Sequence, residues 1–261
     1  MKRFLVVLLT IIALLLAVDA KTKTKKRTAA VEPTCATDIE ACGAEGCSSD
    51  NHHDPKLNTL KNRKSNSQPV TDRSLTWMKG RHNPTHYTQG GSRSELTALG
   101  EGDQVRVVGY LLAVKPELGG ESCNCYLRTV PETDNHLVLV TKATVDKFPL
   151  PAHANSATLK SVFGKRERES VTAEYTPRVR LDHPNFTNEK TQPLINKTAQ
   201  GALKVRVTGS LLFDSEHFFI HHLRRVTNWE IHPIFHLEYC PKGKTCTADS
   251  NANWQDIEAE P

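Results

Sequence analysis

Glu230 and His232 stand two residues apart in Val226–Tyr239, VTNWEIHPIFHLEY. Side chains of an extended strand alternate between faces, so the two share a face at roughly 7 Å. His236 falls on the same face but roughly 13 Å from His232, too far for one ion. A carboxylate and an imidazole are donors of the kind that hold first-row divalent metals. An ion at His232 needs further ligands from neighbouring strands, and His136 and Glu174 are the candidates. The ligand set is thus His136, His232 and Glu230. Glu174 and Arg178, in the run EYTPRVRLDHP, pair a carboxylate with a guanidinium that could stabilise charge building on a phosphate. That run also offers Arg180, Asp182 and His183. As a plain binding surface, the same strand presents Trp229, Glu230 and His232. A solvated outer face is the commoner origin of alternating Glu and His. No cofactor is expected beyond a possible divalent metal. The sequence has no GxSxG, HExxH or Walker loop.

These residues need a sheet to bring them together. From Trp229 the stretch alternates, with Trp229, Ile231, Pro233, Phe235, Leu237 and Tyr239 on the apolar side. Pro233 cannot donate to a ladder, which places the strand at an edge or at a bulge. Further strands are expected at Gln104–Val114, Ser122–Arg128, Asp134–Thr141, Ser170–Pro177 and Lys204–Phe213. Lys142–Glu169 reads as a long charged insertion and Glu189–Ala199 as a weak helix. VRVVGYLL (Val105–Leu112) and VRVTGSLL (Val205–Leu212) resemble each other, each with a glycine inside a good strand. Such a glycine marks a sharp bend or a close backbone approach.

Short strands, a mid-strand glycine in the first, and a helical connection before the last two resemble an OB-fold, a small Greek-key barrel. The fold expected is mainly β: an OB-like barrel over 99–246, behind a flexible Cys-containing N-terminal region. ESCNC (Glu121–Cys125), DNH (Asp134–His136), AEYTPRVR (Ala173–Arg180) and NWEIHP (Asn228–Pro233) also resemble a set of uncharacterised exported bacterial proteins. That resemblance implies export and one compact domain, and no activity. Staphylococcal-type nucleases also set carboxylates and arginines around a metal on an OB barrel. Their carboxylate-rich loop near the first strand is missing here, where only Glu101 and Asp103 lie.

The remaining segments bear on setting. Met1–Ala20 has a basic start, an apolar run of about fifteen residues and a small-residue cleavage site, as a signal peptide does. Residues 21–98 read as a largely irregular basic and Cys-containing region with a linker, and 247–261 as a disordered acidic tail. Lys21–Leu99 holds thirteen basic and eight acidic residues, Gly100–Pro261 nineteen and twenty. The basic excess therefore lies outside the barrel, which gives no strong signal for nucleic acid. An exported chain meets an oxidising compartment, secreted or periplasmic, where cysteines form disulfides rather than zinc sites. Cys240 and Cys246 enclose a five-residue loop and are the expected local pair. Seven cysteines leave at least one unpaired within the chain.

The function expected is an exported binding module for an oligosaccharide, an oligonucleotide or a protein, with the membrane met only in export. The alternatives are a metal-dependent hydrolase, nuclease-like first, and a structural envelope protein with an envelope partner.

Overall fold

Alternating β-branched and apolar residues make Gln104–Pro116 the longest strand (β2) of the computed structural model, with Val105, Val107, Leu111 and Val114 in the core. The structure describes residues 34–47, 55–64, 68–218 and 224–260. The expected signal peptide and basic run, the NHHD run at 51–54 and His221–His222 lie outside them. β2 is followed by Asn135–Val140 (β3), Val171–Tyr175 (β4), Leu203–Phe213 (β5) and Trp229–Tyr239 (β6). Neighbours run β2-β3-β4-β6-β5, and β5 pairs back on β2, so five strands close into a mixed barrel. All these pairings are antiparallel except β4–β6, which is parallel. A helix, Asn188–Asn196, lies between the third and fourth barrel strands and buries Ile195 in the core. This is the OB-like Greek-key barrel that the sequence leads one to expect.

β6 departs from simple alternation. Its register against β5 slips twice, between Thr208 and Gly209 and between Gly209 and Leu211. Ile234 and Leu237 therefore face the core, while Phe235 is half-buried and His236 exposed. Pro233, after a cis peptide bond, sits at these bulges in a strand flanked on both sides, so the bulge and not the edge explains it.

Four expectations need correction. Ser122–Arg128 is not a strand: Ser122–Asn124 is a 3-10 turn, and Cys125 and Tyr126 take left-handed backbone (φ 53° and 57°), which no strand accepts. The insertion forms two helices, Lys142–Lys147 and Ser156–Glu167, and Val145 and Phe163 cover an outer apolar patch around Leu112, Val138 and Val140. The described part of 21–98 is no loose linker. Thr71–Ser74 (β1) pairs in parallel with β2, Leu75 and Met78 enter the core, and helix Pro55–Lys61 (α1) buries Leu57. Disulfide Cys35–Cys47 closes a loop within this region, and Cys42–Cys125 staples it to the barrel's first long loop. The tail is ordered as well: Gln255–Asp256 (β7) pairs with β6 and Ile257 is buried. Cys240–Cys246 forms as expected. Among the described residues no helix is long and apolar enough to cross a membrane.

Candidate metal centre

Strand register builds the site. His136 on β3 pairs with Glu174 on β4, and Ala173 pairs with Ile231 on β6. Side chains two apart share a face, so Glu174 comes beside Glu230 and His232 on the side of the strands away from the barrel core. The β2–β3 loop (117–134) closes over that face with Glu117, Glu121, Cys123 and Asp134. The β5–β6 loop adds Asp214, His217 and Arg225. The face is therefore covered and not solvated: Asp134, Glu174, Asp214, Glu230 and His232 are all buried.

His232 is the centre of the arrangement. Its Nδ1 lies 3.1 Å from Glu230 Oε1 and 3.2 Å from Glu174 Oε2. Burial in this shell drives its pKa down to about 4, against the pull of Glu174. The ring is thus neutral and carries one proton, and the two flanking carboxylates place it on Nδ1. That N–H donates to Glu230 Oε1. Nε2 then presents a bare lone pair, buried and without a hydrogen-bond partner among the described residues, 3.9 Å from Asp134 Oδ2. Glu174 Oε2 and Asp134 Oδ1 are likewise buried and unpartnered. Such lone pairs do not face one another in a dry site without a proton or a metal ion between them. Donors bound to one ion at about 2.0–2.2 Å stand roughly 3–4 Å apart, and Asp134, Glu174 and His232 are close enough for that.

The neighbouring charges are otherwise answered. Lys61 on α1 donates to Glu121 Oε2 at 2.8 Å and to Glu216 Oε2 at 3.2 Å. Arg225 donates to Glu230 Oε2 at 2.8 Å and also reaches Asp214, which His217 Nδ1 meets at 2.6 Å. Burial and Asp214 still push Glu230 up to about 7, against Arg225. His136 Nε2 lies 2.8 Å from Glu174 Oε1 and also contacts Glu117. Among the described residues Asp134 has no cation within ion-pair distance, and the basic side chain beside it, His232, is neutral. Burial, then Glu121 and Glu174, push its carboxyl well above the usual range.

The two histidines titrate in opposite directions. Burial opposes charge on His136, but Glu174 and Glu117 outweigh it and raise its pKa well above 6.5. Its contribution to stability is complete below about 6.5 and is lost as pH rises through the folded value. His232 works the other way, and stability falls as pH drops from about 6.5 towards 4, because the unfolded chain takes that proton first. In the metal-free protein, an NMR titration of the imidazole resonances will find His232 neutral down to about pH 4 while His136 stays protonated above 6.5. A His232 resonance titrating near 6.5 would mean that the ring is solvated and would end the tautomer argument.

Of the residues singled out from sequence, His136, Glu174, Glu230 and His232 meet here. His232 has a free lone pair for an ion. Glu230 orients His232, and His136 holds Glu174 from the solvent side. Two expected site residues do not belong. Arg178 donates instead to the Cys42 carbonyl, tying down the disulfide loop. Trp229 is fully buried in the core, with Nε1 on the His82 carbonyl and Arg81 stacked 4.3 Å from its ring, so it offers no binding surface. Asp134, Glu121 and Lys61 were not legible as site residues. Asp134 and Glu121 stand in the motifs DNH and ESCNC, but nothing in either motif specifies a cluster.

A cleft of about 200 Å³ opens beside the cluster, lined in part by Lys115, Glu117, His136, His217, Arg224 and Arg225. His136 and Arg225 join it to the triad, through Glu174 and Glu230. Comparisons with protein-family models, with curated proteins and with solved structures find no match, so the reading of this site rests on its geometry.

Proposed function

We propose that the chain is an exported, divalent-metal-dependent hydrolase of phosphate esters. The observation that carries this reading is the bare Nε2 of His232 facing Asp134, with Glu174 on the ring's Nδ1 side and one donor atom from each of the three within 4.8 Å of the others, next to a cleft with cationic residues on its wall. Asp134, Glu174 and His232 hold the ion, and Glu230 fixes the His232 tautomer, as an outer carboxylate commonly does for a metal-bound imidazole. An ion there supplies Lewis acidity and a bound water of lowered pKa. Lys115 and the exposed Arg224 supply charge that suits a phosphate group entering the cleft. Three disulfides favour an oxidising compartment, secreted or periplasmic.

The test is metal content and turnover of bis(p-nitrophenyl) phosphate, after dialysis against zinc, manganese or calcium, for wild type, His232→Ala and Arg224→Ala. Wild type should retain a stoichiometric ion and turn over. His232→Ala should lose the ion with a fall in affinity on the order of 100-fold or more, since even outer-shell changes cost about 10–100-fold. Arg224→Ala should keep the ion and raise KM. An ion-free wild type would sink the reading. A bound ion without turnover of any phosphate ester would favour a second one, an ion-stabilised binding module. That reading draws on position alone, because OB barrels take ligands on the second and third strands and the loops beside them, where His136, Glu174 and Asp134 lie.

A further inference from the structure

We infer that Cys123 is a metal ligand, and that Asp134 bridges two ions: one with Glu174 and His232, a second with Glu121 and Cys123. The inference rests on the reading of Asp134 as an ion ligand and extends it to a site that takes a thiophilic metal such as zinc. Cys123 is the one free cysteine among the described residues, and it is fully buried. The other six are paired, so the oxidising chemistry that closed three disulfides left this thiol apart. Its surroundings are not those of an inert core cysteine. The Sγ lies 3.1 Å from Glu121 Oε2 and 4.0 Å from Asp134 Oδ2. A thiolate at about 2.3 Å and a carboxylate oxygen at about 2.0–2.2 Å from one zinc are separated by roughly 3–4 Å, and the two measured distances span that range.

Asp134 is the independent evidence. It is fully buried, its Oδ1 has no hydrogen-bond partner among the described residues, and it belongs to two groups of donors whose ligand atoms lie within 4.8 Å of one another. Its Oδ2 stands 3.9 Å from His232 Nε2 and 4.0 Å from Cys123 Sγ, so one oxygen lies between the two donor groups and is placed to bridge two ions. Lys61, on Glu121 Oε2, is placed as an outer-shell donor to a ligating carboxylate. When the ion binds, the thiol proton leaves to solvent and the sulfur lone pair forms the metal bond, without any change of oxidation state.

Cobalt(II) reads the two sites separately. The disulfide-intact, metal-free chain is titrated with cobalt and followed for the near-ultraviolet thiolate-to-cobalt charge-transfer band. With every other cysteine in a disulfide, that band can arise only from Cys123. The expected result is two cobalt ions per chain and a band that saturates with one of them. Cys123→Ser should lose the band and one ion, and His232→Ala should lose one ion and keep the band. Wild type that binds cobalt without the band overturns the Cys123 assignment and leaves the hydrolase reading standing, a conclusion that needs no variant to fold. Wild type that binds no cobalt overturns both.

Discussion

Replacing Lys61 by methionine will lower the unfolding free energy of the metal-free protein at neutral pH by about 3–5 kcal/mol, the usual cost of stranding a buried charge. The side chain is almost wholly buried, and its ammonium sits between Glu121 and Glu216. Burial works against this charge, but Glu121 and then Glu216 raise the pKa well above 10.5. Glu121 answers in kind: burial pushes it up, yet Lys61 draws it down to about 2. Methionine keeps most of the volume and removes the charge, so Glu121 is left buried without its ion-pair partner. Lys64 supplies the contrast. Its pair with Asp182 is just as short at 2.5 Å, but both side chains are more than half exposed. Lys64→Met should cost less than about 1 kcal/mol. Urea unfolding of both variants decides between them. The Lys61→Met deficit should also shrink at low pH. A carboxylate with a depressed folded pKa stabilises above its unfolded value of about 4.5, and that contribution goes as pH falls towards 2. A Lys61→Met loss no larger than that of Lys64→Met would show that water reaches the ammonium.

The pair Lys61 and Lys64 also shows where sequence reading stops. Both belong to KNRK after two leucines, and nothing local separates them; one is buried because a loop sixty residues on brings Glu121 to it. Periodicity did carry the barrel. VxVxGxL, the NWEIHP strand and the EYTP strand are set by side-chain alternation, a local property that survives folding. Their alignment then brought His136, Glu174, Glu230 and His232 together, because register on a closed sheet is a consequence of the same alternation. Alternation could not say which face was wet. The outer face of β6 is dry because an irregular loop, stapled by Cys42–Cys125, lies over it. Loops carry no period, so Asp134 and Cys123 had no signal, and SCNCYLR read as a strand when its backbone turns left-handed. Trp229 failed for a related reason. An aromatic beside a His–Glu pair suggests a stacking surface, whereas in the barrel it is the largest core residue of that strand.

Gly209→Ala will cost about 3 kcal/mol or more, the upper end of what overpacking a core does, whereas Gly109→Ala will cost about 1 kcal/mol or less. The two glycines hold the same place in the repeated VxVxGxL motif, and neither has a positive φ, so space and not backbone freedom distinguishes them. A methyl group on Gly109 would meet the flexible end of Leu75, 3.3 Å away at Cδ2. One on Gly209 would stand 2.4 Å from Ile231 Cγ2, 2.5 Å from the Pro233 carbonyl oxygen and 3.1 Å from Ile234 Cα. Two of those three atoms are backbone, and all belong to the bulged stretch of β6, which cannot give way without moving as a piece. That stretch contains His232. The glycine is therefore what lets β5 lie against the bulge while β6 turns His232 towards Asp134. Gly209→Ala should weaken ion affinity by on the order of 10-fold or more, the size of a lost outer-shell support, as well as lowering the urea midpoint. The two readouts separate packing from positioning. A destabilised Gly209→Ala that binds its ion like wild type would show that the β3–β4 half of the site holds the metal without help from the bulge, and a midpoint unchanged from wild type would show that the two strands can part to admit the methyl.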